Sequence, residues 1–305
     1  MRNYLPGRRL WFWVLTATVV AGCASTPTKP AYRKALKTEY GKIAGYSPTQ
    51  QQWIKDNCPL EMPKRQAGID FGYTQVIVRR GYVLEHSVTD KIPMWVCERV
   101  TRAQVSGPLG RPKSEPFAPD PELQGERRAE LSDYKRSGYD RGHQAPSADQ
   151  TVDPVLQAET YYLSNMAPQF AALNQRIWKE LETSVRKQAK AMDPVYVITG
   201  PMFYDEAEDD PATADGYVEY TVIGNDVAVP THFYKIVYWM DAQQKWQAIA
   251  FLMKNQKEPF PEPHDFKQYI RPVKWIEDRT GLDFNPALPT PDHRRVEVDA
   301  GHLWN

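Results

Sequence analysis

The chain has 305 residues, 41% hydrophobic and 12% aromatic, which is enough for one large domain or two small ones with a substantial core. Its 38 Lys and Arg balance 38 Asp and Glu, so it lacks the positive excess by which a bulk nucleic-acid packaging protein releases counterions. No CxxC or HExxH occurs and the six His are scattered, which leaves a zinc site without support.

Residues 1–22 read as a signal peptide: Arg2, Arg8 and Arg9 form a basic start, residues 10–20 are apolar, and the run is too short for a comfortable membrane span. The sequence Val20-Ala21-Gly22-Cys23 resembles the lipobox of bacterial lipoproteins, which implies cleavage before Cys23 and lipidation of its thiol. Ordinary secretion with a chance Cys is the alternative. Ala24 is not an Asp-type retention signal, so the resemblance implies a periplasm-facing lipoprotein of the cell envelope, at the outer membrane. Removing the leader leaves 35 basic against 38 acidic residues. Residues 23–50 are expected as the lipidated Cys and a polar, Pro-containing tether.

Residues 51–288 read as one globular domain. QVIVRRGYVLEHS (75–87) predicts a hairpin turning at Arg80-Gly81, and MWVCERVT (94–101) predicts a further strand. Cys58 and Cys97 are an even pair once Cys23 is set aside, and a disulfide is one account of them in an oxidising compartment. Residues 106–138 are dense in Pro, Gly and charge and predict a long irregular loop.

VYVITGP (195–201), YVEYTVI (217–223), THFYKIVYW (231–239) and WQAIAFLMKN (246–255) predict a mainly antiparallel sheet. Leu173, Ile177, Leu181 and Val185 recur every four residues and predict a helix over 173–190, with Trp178 as core. A further helix is expected within 256–285, and the C-terminal tail, 289–305, shows little core potential.

YDRGHQAPSAD (139–149) and YLSNMAPQFAALNQRIWKELE (162–182) bring Arg141, His143, Asn165, Asn174 and Glu182 together in sequence. Imidazole titrates near neutrality and suits His143 to draw a proton from water, while the planar fork of Arg141 suits two phosphate oxygens. The amide oxygen of Asn174 is a hard ligand for Mg²⁺. Glu182 lies eight residues on, about 12 Å of rise and roughly 80° of rotation on a regular helix, so it is expected to reach the ion only through water. Taken singly, His143 also suits a structural role, Arg141 a surface ion pair, Asn174 an N-cap and Glu182 a solvated face paired with Arg186. Asn165 would bond phosphate or hold a loop.

DRGH followed by YLSNxxPQxxxLNQxxWxxLE resembles the signature of the DNA/RNA non-specific endonucleases, the ββα-metal or His-Me finger group. The TGP strand end and the VPTHFYKIV and IAFLMKN segments are similar to the rest of such domains, so the likeness spans roughly residues 60–285. It implies an α+β fold, a central mainly antiparallel sheet flanked by helices with a ββα-metal motif at the site. It also implies His143 as general base, Arg141 on phosphate, Asn174 as the direct Mg²⁺ ligand with Mn²⁺ as a substitute, Glu182 orienting metal-bound water, and Asn165 as a supporting amide. The family's upstream Arg corresponds best to Arg111 in GRPKSEPFAPDP. The implied activity is sequence-non-specific hydrolysis of DNA and RNA to 5′-phosphate products. A catalytically silent envelope receptor for nucleic acid, or a narrower phosphodiesterase, would share much of this sequence.

Overall fold

The computed structural model describes residues 2–4, 45–67, 72–209 and 218–304. Cys23 and most of the leader and tether lie outside the described residues; of the leader only Arg2–Tyr4 is described, antiparallel to Val218–Tyr220. The first helix, α1 (Pro48–Asn57), begins inside the stretch expected as tether. Its start is built by Ser47, whose Oγ accepts from the Gln50 N–H while Gln50 Oε1 accepts from the Ser47 N–H, with Pro48 fixing φ at the first helical position.

In chain order there follow β1 (Thr74–Val78), β2 (Val83–Ser87), β3 (Pro93–Val100), β4 (Asp140–His143) and β5 (Met166–Gln169). Then come α2 (Trp178–Met192), β6 (Val195–Met202), β7 (Val218–Ile223), β8 (Val227–Val229), β9 (His232–Met240), β10 (Trp246–Lys254), β11 (Ile270–Arg271) and α3 (Val273–Thr280). Seven strands form one antiparallel sheet in the order β11-β10-β9-β6-β3-β2-β1. The expected strand at 217–223 exists as β7, but it pairs with β8 in a separate small sheet.

Period-two alternation makes the sheet two-sided. Along β9, Phe233 and Val237 face the layer that holds Trp178, Leu181 and Val185 of α2, while Tyr234, Ile236 and Tyr238 face Ile54 of α1 and Ile276 of α3. Each such fully buried aliphatic or aromatic side chain contributes about 1.5–3 kcal/mol, so both helical layers are held by the same strands. Among the described residues no helix is long and apolar enough to cross a membrane.

Cys58 at the end of α1 and Cys97 in β3 are both buried in the second layer as free thiols, and burial pushes the Cys97 thiol well up. The tail departs from expectation. Val296 is buried, Arg295 Nε donates to the Trp246 carbonyl at 2.9 Å, and Trp304 packs edge-on against Trp239 and Phe251 with its Nε1 donating to Ser184 Oγ at 2.8 Å. Val296 joins the layer of α1 and α3 while Leu303 and Trp304 pack against that of α2, isolated contributions too few to register as a periodic pattern.

The long irregular segment 106–138 is pinned at its centre. Arg79, in the β1–β2 turn, donates to both carboxylate oxygens of Asp120 at 2.8 Å, and Asp120 also accepts from Ser164 Oγ. Both partners are buried, and breaking such a pair costs about 3–5 kcal/mol because a charge is left stranded. Just before Asp120 the loop is clamped to the segment before β5: the Ala118 N–H donates to the Tyr161 carbonyl and the Leu163 N–H to the Ala118 carbonyl. That clamp carries Phe117 and Arg111 over the β4–β5 hairpin.

Candidate active site

β4 and β5 form an antiparallel hairpin in which Arg141 pairs with Pro168 and His143 with Met166. Gly142 between them admits no side chain, since a Cβ there would meet Gln169 Oε1 at 2.1 Å. The next element is a π-helical turn, Leu173–Ile177, in which the Trp178 N–H reaches back to the Leu173 carbonyl, and it runs directly into α2. Hairpin and helix enclose a cleft of about 1070 Å³ lined by Arg111, Arg141, His143, Asn174, Glu182 and Arg186.

The π turn corrects the helix-geometry expectation for Asn174 and Glu182. A π turn advances fewer degrees per residue than the ~100° of an α-helix, so the rotation separating the two positions shrinks. Both side chains line the same cleft. Asn174 is within the π turn, not at an N-cap. Its Nδ2 donates to Asp140 Oδ2 at 2.9 Å, and Gln175 Nε2 donates to the same oxygen at 2.8 Å. Asp140 therefore fixes the amide, not the His143 tautomer that a neighbouring carboxylate could have set. With its NH₂ so engaged, Asn174 lines the cleft with an Oδ1 that takes no hydrogen bond among the described residues.

His143 is half-buried between the rings of Phe117, at 5.6 Å, and Tyr161, at 4.9 Å. Its Nε2 is shut off from solvent without a partner, which leaves Nδ1 as the nitrogen open to the cleft. Desolvation, reinforced by the Arg111 charge, pushes its pKa down to about 3. The imidazole is thus neutral at physiological pH, as a base requires. Because the unfolded chain would bind this proton at about pH 6.5, the group adds stability that is lost as pH falls from there toward 3. Arg111→Gln removes the opposing cation and is expected to raise the His143 pKa while leaving it below 6.5, since desolvation is the larger cause. NMR titration of the imidazole checks this, and an unchanged or lowered pKa would contradict it.

Arg141 stacks over Phe117 at 4.9 Å and has no carboxylate partner among the described residues, so its guanidinium fork is open to an anion. Arg111 reaches the same cleft from the long loop, exposed and paired with Glu115 through Nε at 2.6 Å. Asn165 does not line the cleft. It is fully buried, accepts from the Ala145 N–H at 2.9 Å and donates to the carbonyls of Ala145 and Thr160 at 2.9 and 2.8 Å. Of the two roles expected for it, the geometry is that of holding the loop after His143, and its place among the catalytic residues is corrected accordingly.

Behind Glu182 lies a buried charge network that the motif did not disclose. Arg186 donates to Asp149 at 2.9 Å in place of the expected pairing with Glu182. Lys235 projects from β9, donates to Thr199 Oγ1 at 2.6 Å and sits 5.1 Å over the Trp178 ring, with Glu182 and Glu98 as facing carboxylates. Desolvation raises the Glu182 pKa to about 7, against the charges of Lys235 and Arg186 that favour its carboxylate. A signal existed in the sequence: Lys235 occupies an inward position of an otherwise apolar strand, as Glu98 does in β3.

The donor set would suit a hard divalent ion, since the Asn174 amide and the Glu182 carboxylate line one cleft. Elsewhere, Glu277, Asp283 and Glu297 place oxygens within 4.8 Å of one another around α3. That cluster is already engaged by the Phe284 N–H at 2.9 Å, Lys274 at 3.7 Å and His293 at 3.2 Å.

The family model for DNA/RNA non-specific endonuclease matches residues 65–291. Among curated relatives, mitochondrial endonuclease G of Homo sapiens is 35% identical over 218 residues, 71% of either chain. A nuclease of Syncephalastrum racemosum is 38% identical over 222 residues, 70% of this chain and 68% of its own. Among solved structures, a chain of the EndoG/EndoGI complex superposes with a TM-score of 0.69 at 33% identity, covering 79% of this chain and 94% of that one.

Proposed function

This chain belongs to the DNA/RNA non-specific endonuclease family, and from that premise we propose a metal-dependent, sequence-non-specific hydrolysis of DNA and RNA at the cleft between the β4–β5 hairpin and α2. One observation carries the reading: His143, Arg141 and Asn174 line one cleft, and His143 Nδ1, the Arg141 guanidinium and Asn174 Oδ1 have no hydrogen-bond or ion-pair partner among the described residues. A base, an anion fork and a hard oxygen are thereby free for substrate, water and ion.

His143 Nδ1 accepts a proton from the attacking water. Arg141 holds two phosphoryl oxygens and opposes the charge that grows on them, and Arg111 supports it from the rim. Glu182, whose carboxylate form the charges of Lys235 and Arg186 favour against its desolvation, orders water in the cleft. Mg²⁺, or Mn²⁺ in its place, would be held by Asn174 and would supply Lewis-acid neutralisation of the phosphate. As the bond from the water oxygen to phosphorus forms, the bond from phosphorus to the 3′-oxygen breaks, and that oxygen leaves with a proton from the water that Glu182 orders, which yields a 5′-phosphate and a free 3′-hydroxyl. Contacts confined to phosphate carry no base information, which agrees with the absence of sequence preference.

The test is plasmid nicking by the purified protein with Mg²⁺ and with EDTA. Nicking that EDTA abolishes is expected; retention of DNA without any nicking would instead indicate a silent receptor. The proposed place of action, the cell envelope with the protein tethered through lipid on Cys23, rests on the leader of this chain. Palmitate labelling that persists after Cys23→Ser would remove that part.

A further inference from the structure

On α2, Lys179, Lys187 and Lys190 are exposed, line the mouth of the cleft, and have no carboxylate within ion-pair distance among the described residues. Glu180, an acid next to Lys179 in the chain, is paired instead with His264 at 2.9 Å. Their spacing is directional. Eleven residues separate Lys179 from Lys190, about 16 Å along the axis and roughly 20° around it, and Lys187 lies between them in height, roughly 80° around from Lys179. The stripe therefore runs lengthwise from beside Glu182 toward the C-terminal end of α2, well beyond what one phosphodiester at His143 can span.

Unpaired lysines in register with a catalytic cleft are a site for a second anionic group on the same substrate. We propose that Lys179, Lys187 and Lys190 form a phosphate track that holds the polynucleotide strand to one side of the scissile bond, so that the substrate is recognised as a polymer and not as a small diester. This rests on the nuclease reading above and adds which substrates that site prefers. Each lysine acts as a point charge on a flexible stem, which suits successive phosphates of either DNA or RNA without fixing sequence.

The experiment replaces all three lysines by Gln and, separately, by Arg. Binding of a labelled 24-nucleotide strand is followed by fluorescence anisotropy at several salt concentrations, beside kinetics on long DNA and on bis(p-nitrophenyl) phosphate. The Gln variant is expected to flatten the slope of log K against log salt by about 2, at ~0.7 for each phosphate of a single strand that is no longer neutralised. Its KM for long DNA should rise at least tenfold, the ratio of polymer to small-diester kcat/KM should fall at least tenfold, and the Arg variant should restore both. An unchanged salt slope overturns the proposal. So does an equal loss on both substrates, which would place the lysines in the chemical step. A parent protein that binds the strand but cuts nothing refutes the nuclease reading alone, because the anisotropy slopes still decide the track.

Discussion

His143→Ala is expected to lower Mg²⁺-dependent DNA cleavage by about 10³-fold, within the 10²–10⁴ range that a positioned general base supplies, while strand binding at low salt persists. The separation of chemistry from binding follows from the geometry. Arg141 is held by its stacking on Phe117 and Tyr134 and does not depend on the imidazole. Loss of the ring leaves a gap beside Phe117 and Tyr161, so added imidazole should restore part of the rate. Nicking assays with and without imidazole, beside thermal melts, separate a lost base from a damaged fold. A variant that cuts within tenfold of the parent would remove His143 from the mechanism.

The sheet was legible because its strands are long and β-branched: the Arg80-Gly81 hairpin falls where β1–β2 reverses, and the stretches 231–239 and 246–255 are the paired strands β9 and β10. The helix was legible from its four-residue apolar row, but the π turn was not, since one additional residue in a turn leaves no mark on an apolar pattern. That hidden turn bears on the proposed chemistry, for it reduces the rotation between Asn174 and Glu182. Pairings distant in sequence were hidden for a different reason. Arg79 with Asp120 and Trp304 with Phe251 depend on which segments meet, and single-chain periodicity does not carry that information. Asn165 shows the opposite failure, a motif residue whose spacing fits a catalytic set while its amide is consumed by backbone 20 positions away.

Asn174→Ala is expected to cost about 10³-fold in Mg²⁺-dependent rate, equivalent to about 4 kcal/mol of transition-state stabilisation, and to abolish the heat of Mg²⁺ binding seen by calorimetry. The fold should survive, because Asp140 keeps its bond to Gln175 and the Asn174 backbone N–H still donates to the Phe170 carbonyl. Asn174→Asp sharpens the test. It keeps an oxygen donor but sets a second carboxylate against Asp140 where an amide N–H now donates at 2.9 Å. Without metal that repulsion should lower the melting temperature, and bound Mg²⁺ should recover it, since an ion between two carboxylates offsets their charge. A merely structural Asn174 predicts the reverse pattern for the Ala variant, a lowered melting temperature with Mg²⁺ binding intact. Calorimetry and melting on the two variants therefore decide whether the amide oxygen facing this cleft is a ligand.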